Sequence, residues 1–154
     1  MQTIDPVRSS NLFPNYIVLH IVITVHPGET SLWIVANTDG LVWKRLPLHV
    51  VCRHQPPTKV VETMVSAFPK SPAYRDNLKC LPIHYACKYG ASINVIEVLI
   101  NAAPNAIHAR NRDNDKPLDL IMRDSSRDER EKHSIVQLLT LVASSSDEED
   151  DNEE

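Results

Sequence analysis

Two histidine–cysteine couples stand thirty-five positions apart, His49 with Cys52 in LPLHVVC (46–52) and His84 with Cys87 in LPIHYAC (81–87). Such residues can ligate zinc, or supply a thiolate with its base, and i, i+3 spacing puts both donors of a couple on one helix face. Each couple offers only two ligands, whereas zinc needs four donors at about 2.0–2.3 Å. If the two segments are successive copies of one packed helix, their axes lie roughly 8–10 Å apart, which counts against a shared ion. A nucleophilic cysteine needs a low pKa and access to substrate. Cys52 and Cys87 fall mid-helix on an apolar face and read as small buried hydrophobes, while Cys80, in a polar stretch, is expected to be an ordinary exposed thiol. No P-loop, GxGxxG, HExxH, GxSxG or CxxC pattern occurs. The expectation is a non-enzyme with no metal and no cofactor; a His/Cys metal or thiol site is the weakest of the alternatives.

The elements that carry these residues repeat. Sliding 46–80 over 81–115 matches Leu46/Leu81, Pro47/Pro82, His49/His84, Cys52/Cys87, Val60/Val95, Glu62/Glu97, Ala67/Ala102, Pro69/Pro104 and Arg75/Arg110. A third copy opens at KPLDLIM (116–122), where Pro117 stands thirty-five after Pro82 and Asp119 replaces the histidine. Its second half, SIVQLLTLV, arrives after five extra residues in the polar stretch RDSSRDEREK, expected to be a loop. Each unit reads as two helices. Proline opens the first, over 47–54, 82–89 and 117–124. The second, with apolar i, i+4 spacing, runs over 58–68, 93–103 and 133–144. Gly90 suits a left-handed C-cap.

These segments resemble the ankyrin repeat, whose signature is T-P-L-H-x-A opening a helix pair after a hairpin-like loop. The resemblance covers residues 41 to 144 and rests on Pro47, His49, Cys52, Pro82, His84, Cys87 and Pro117, with the loop Asp76 six residues before Pro82. Threonine before the proline is replaced by Leu46, Leu81 and Lys116, which removes a side-chain N-cap worth about 1 kcal/mol per helix. The loop glycine is replaced by Lys79 and Asn114. The resemblance implies a mainly α solenoid of stacked helix pairs (46–80, 81–115, 116–144) with its histidines bonded to neighbouring loop backbone. It implies a protein-interaction module that grips its partner with loop tips and the exposed ends of the first helices. Carried onto this chain, those positions are Val42, Trp43, Arg45, Arg53 and His54 in the first copy. In the second they are Asn77, Leu78, Cys80, Lys88 and Tyr89, and in the third Arg112, Asp113, Asp115, Arg123 and Asp124.

Arg53, Lys88 and Arg123 share one place in successive copies. Near the C-termini of the first helices they either serve only to offset the helix dipole or, in series, form a basic ladder that selects an acidic protein partner. The same ladder raises the alternative of a nucleic-acid-associated protein. Against it stand a slight body charge and the absence of interleaved aromatics.

Composition sets the remaining bounds. The 154 residues include 42% hydrophobic and 5% aromatic side chains, eleven prolines and three glycines, enough for a helical core and poor in the turns of a β-sandwich. DEEDDNEE (147–154) holds seven acids, so a net charge of −4 becomes +3 for residues 1–146. This stretch, from 145 onward, is expected to be a disordered solubilising tail and a competitor for the basic face; Ser144, Ser145 and Ser146 each precede an acid by three residues, as in acid-directed kinase sites. Three cysteines, an odd number, suggest an intracellular chain, cytoplasmic or nuclear. YIVLHIVITV (16–25) is too short to span a membrane and reads as a strand. Residues 1–15 are expected to be disordered, and 16–45 to form a β-rich segment with a turn at NTDG, either a cap on the first repeat or an atypical terminus.

Overall fold

The computed structural model describes residues 34–38 and 41–145, with side chains from Lys44 onward. The expectations for 1–15, for the strand at 16–25 and for the acidic stretch from 146 lie outside the described residues. What is described is mainly helical. A two-stranded antiparallel hairpin, β1 (Ile34–Thr38) and β2 (Leu41–Arg45), pairs Thr38 with Leu41 and Ile34 with Arg45. Three helix pairs follow: α1 (Pro47–Cys52) with α2 (Thr58–Ala67), α3 (Pro82–Lys88) with α4 (Ile93–Ala102), and α5 (Pro117–Arg123) with α6 (Glu129–Ser145). Single 3₁₀ turns, Ser71–Ala73 and Pro104–His108, leave the second helices at the prolines that end them. Among the described residues no helix is long and apolar enough to cross a membrane.

Like packs on like. The first helices form one row, α1 on α3 on α5, and the second helices another, α2 on α4 on α6. A single core runs between the rows. Leu48, Val61 and Met64 of the first pair meet Ile83, Val95, Ile96 and Leu99 of the second, then Ile121, Ile135 and Leu139 of the third. Burying each of these side chains contributes about 1.5–3 kcal/mol, and this burial, more than helix propensity, holds six- and seven-residue helices that would melt alone.

Each first helix begins at proline without a side-chain cap from the residue before it. The missing bond is supplied from the other direction. The side chain at the third helical position reaches back to the N-cap amide: Leu46 N–H donates to His49 Nδ1 (3.2 Å), Leu81 N–H to His84 Nδ1 (3.0 Å) and Lys116 N–H to Asp119 Oδ2 (2.8 Å). At the far end of α3, Ala91 N–H bonds Ala86 C=O around Gly90 at φ +78°, a Schellman closure. Its counterpart in the first pair, Gln55, takes φ +49°.

The sequence-derived boundaries shift at several ends, and the second helices of the first two pairs stop one residue early, at Ala67 and Ala102. The first helices stop one or two residues early, at Cys52, Lys88 and Arg123. The last helix starts at Glu129 rather than 133, because Asp128 accepts the amides of Arg130 and Glu131 and opens it there. The extra residues of the third copy are thus partly helix, not all loop. Ser144 and Ser145 belong to α6, with each Oγ donating to a carbonyl of the preceding turn.

Candidate functional site

The histidines do not converge. In each, Nδ1 accepts the amide of its own cap, so Nε2 carries the proton and donates sideways into the next unit. His49 Nε2 donates to the carbonyls of Tyr74 (3.0 Å) and Cys80 (3.2 Å), and His84 Nε2 to that of Ala109 (3.1 Å). Burial lowers both pKa values, which fits the neutral ring this network needs. Cys52 and Cys87 are fully buried, and burial pushes both thiols up, Cys87 to about 12. Cys80 corrects the sequence reading: it is 9% exposed rather than a surface thiol, and burial followed by nearby Asp76 raises it to about 11. Among the described residues no three His, Cys, Asp or Glu side chains cluster so as to hold a metal ion.

The loops between pairs stack as the helices do. Asp76 Oδ1 accepts the amides of Leu78 (2.9 Å) and Cys80 (2.8 Å), folding its loop over Lys79 at φ +57°. Thirty-five residues on, Asn111 does the same work: its Oδ1 accepts Asp115 N–H, and Asn114 takes φ +67°. Arg75 donates to Lys79 C=O within its loop and to Arg110 C=O of the next, while Arg112 N–H bonds Leu78 C=O. Strand β2 occupies the matching register ahead of the first pair, with Lys44 N–H donating to Asn77 Oδ1 and Arg45 Nε to Asp76 Oδ2. The hairpin therefore sits where a repeat loop would, which the sequence reading of 16–45 left open.

Between these loops and the first helices lies a groove of about 250 Å³. Its lining includes Arg45, Arg53, Leu78, Lys88, Tyr89 and Arg112, all positions expected from the register to meet a partner, together with Cys80 and Asp113. Tyr85, missed in the sequence, completes the floor. Its ring stacks parallel to Tyr89 at 6.2 Å, and its hydroxyl donates to Asp76 Oδ2 at 2.6 Å. Arg45 lies 4.9 Å over the Tyr85 ring, and Arg53 and Lys88 lie 5.1 and 5.6 Å from the Tyr89 ring.

Other expected positions fall elsewhere. His54 is exposed but does not line the groove, and Asn77 is held against Lys44. Trp43 and Val42 are in β2, with their side chains outside the described residues. Arg123 departs from the basic ladder. Its Nη1 sits 2.6 Å from Asp115 Oδ2, so the third rung is neutralised, and Arg112 from the loop supplies the groove's further cation. Asp124 is likewise occupied, accepting Ser126 N–H and facing Arg127 at 3.5 Å. The chain matches no protein-family model and no curated protein.

Proposed function

We propose that the chain is a non-enzymatic interaction module of ankyrin-like repeats that binds a protein partner through its loop and first-helix face. One observation carries the reading: positions that the ankyrin resemblance implies for partner contact (Arg45, Arg53, Leu78, Lys88, Tyr89 and Arg112) line a single groove. The stacking of like helices and the sideways histidine bonds support the repeat assignment. A groove of about 250 Å³ lies below the roughly 300–1,000 Å³ of small-molecule sites, which favours part of a macromolecule over a metabolite. Its arginines and tyrosines are the residue types that most often anchor interfaces.

Affinity capture from cell extract tests this. Proteins retained by the full chain should be lost with the Arg53→Glu, Lys88→Glu and Arg112→Glu triple variant and kept when Lys59, Lys70 and Arg130, on other exposed surfaces, are reversed instead. Retention unchanged by the groove variant would remove the binding face from this groove.

A further inference from the structure

The charges of the groove do not balance. Arg45, Arg53, Lys88 and Arg112 line it against one carboxylate, Asp113. Arg45 is held by Asp76, whose side chain is buried behind the wall. Among the described residues, no salt bridge includes Arg53, Lys88 or Arg112. Arg53 and Lys88, both exposed, each lie against one ring, that of Tyr89, at 5.1 and 5.6 Å from its centroid. Four arginines elsewhere in the fold are arranged differently. Arg123 and Arg127 have carboxylates, and Arg75 and Arg110 donate to carbonyls of their own loops.

We infer that the groove is built to take a carboxylate-rich, extended segment of a partner protein, with acidic side chains seated between Arg53, Lys88 and Arg112 over the Tyr89 ring. This rests on the interaction-module reading above and adds the chemistry of the partner. Carboxylates there would balance the excess positive charge and accept charge-assisted hydrogen bonds from the Arg53 and Arg112 guanidinium groups and the Lys88 ammonium. The small volume admits one or two acidic side chains, with the rest of the segment running along the stacked loops. The flat Tyr85–Tyr89 pair gives the segment's backbone an apolar floor.

The test is fluorescence anisotropy of a labelled octaglutamate peptide on the full chain at 50 mM salt. Saturable binding is expected. It should weaken tenfold or more in the Arg53→Gln, Lys88→Gln, Arg112→Gln variant, and by less than threefold in the Lys59→Gln, Lys70→Gln, Arg130→Gln variant, which loses the same charge elsewhere. Tyr89→Leu, which keeps every cation, should weaken it at least threefold; diffuse attraction would not notice the ring. Equal loss in the two triple variants, or no saturable binding at all, overturns the proposal. A gain on replacing the seven acids of 147–154 by their amides would support it, since the tail is then a competitor for the same carboxylate-binding groove, whereas tighter binding of duplex DNA than of the peptide would overturn it. Should the groove variant lose its captured proteins while octaglutamate fails to bind, the interaction module stands and the acidic partner falls.

Discussion

His84 and Asp119 hold the same place in consecutive helix pairs, and each accepts the amide three residues before it, but only His84 extends a second atom across to the following loop at Ala109. The difference has a physical reason. A carboxylate accepts but carries no N–H, so Asp119 caps its own helix and has nothing to donate onward, where the imidazole does both. His84→Ala should then strand both Leu81 N–H and Ala109 C=O and leave a cavity, costing about 2–4 kcal/mol. Asp119→Ala, which removes one half-exposed cap, should cost about 1 kcal/mol. Urea unfolding of both variants checks the order; equal losses would deny the histidine its bridging role.

The two bridging histidines also make stability depend on pH. Burial lowers both pKa values below the ordinary 6.5, offset in part at His49 by Asp76, with Arg45 beside it, while Arg75 faces His84. A group whose folded pKa is depressed leaves the unfolded chain to take up the proton first. Its stability is therefore complete above about 6.5 and is lost as pH falls below it, at up to about 1.4 kcal/mol per pH unit for each histidine. Unfolding free energy measured at pH 7.5 and 5.5 should fall in the wild type, and the slope should flatten in His84→Gln. The carboxylate of Asp124, lowered by its bonds to Ser126 and Arg127 against its own burial, adds a separate loss only below about pH 4.

Backbone strain at the loops gives a stabilising prediction. Lys79 and Asn114 sit at φ +57° and +67°, where a glycine has no Cβ penalty. Lys79→Gly should raise stability by up to about 1 kcal/mol, and Asn114→Gly by less, since asparagine tolerates that region better. Gly90→Ala should do the opposite and cost about 1–2 kcal/mol, because φ there is +78° and the new Cβ would meet Gln55 Nε2 at 2.9 Å, disturbing its bond to Tyr89 C=O. Thermal unfolding of the three variants reads the signs directly.

The register carried much of this into view before any coordinates. Matching letters at thirty-five residues placed the helix pairs and put Arg53 and Lys88 in line, since a solenoid turns equal spacing into equal place, while the ankyrin resemblance added Tyr89 and Arg112 to the same face. Periodicity could not tell how a side chain ends. Arg123 sits in line with Arg53 and Lys88, yet Asp115 lies within 2.6 Å and takes its charge. Cys80 stands in a polar loop, but the loop folds over it through Asp76. Tyr85 follows a signature histidine and is core as its place suggests, at 5% exposure, but its contacts with Arg45 and Tyr89 appear only once those side chains are placed about it. Arg45 opposite Asp76 held a clue to the hairpin, because it stands thirty-five before Cys80 in the next loop.

Native thiols should be inert. All three cysteines are buried and their pKa values are raised, so few thiolates exist near neutral pH, and only Cys80, at the groove wall, has any exposure, 9%. At pH 8 the folded protein should react with none of its three thiols on the timescale in which unfolded protein in urea reacts with all of them. Rapid native labelling at Cys80 would mean that its loop opens readily.

No pattern in the sequence singles out Arg127. It lies among Asp124, Ser125, Ser126 and Asp128, a stretch that reads as solvated loop, yet its side chain is 2% exposed. Nη1 donates to Ala91 C=O at 2.8 Å, just before α4, while Asp124 and Glu131 stand 3.5 and 3.7 Å from the guanidinium. The extra residues of the third copy thus return an arginine to the seam between the second and third pairs. Arg127→Ala removes the donor and leaves the Ala91 carbonyl and Asp124 short of a partner, at a cost of about 2–4 kcal/mol. The loss should be local. Hydrogen exchange is expected to quicken across α5 and α6 while α1 and α3 keep their protection, whereas uniform acceleration would mean that the arginine supports the whole stack rather than its last seam.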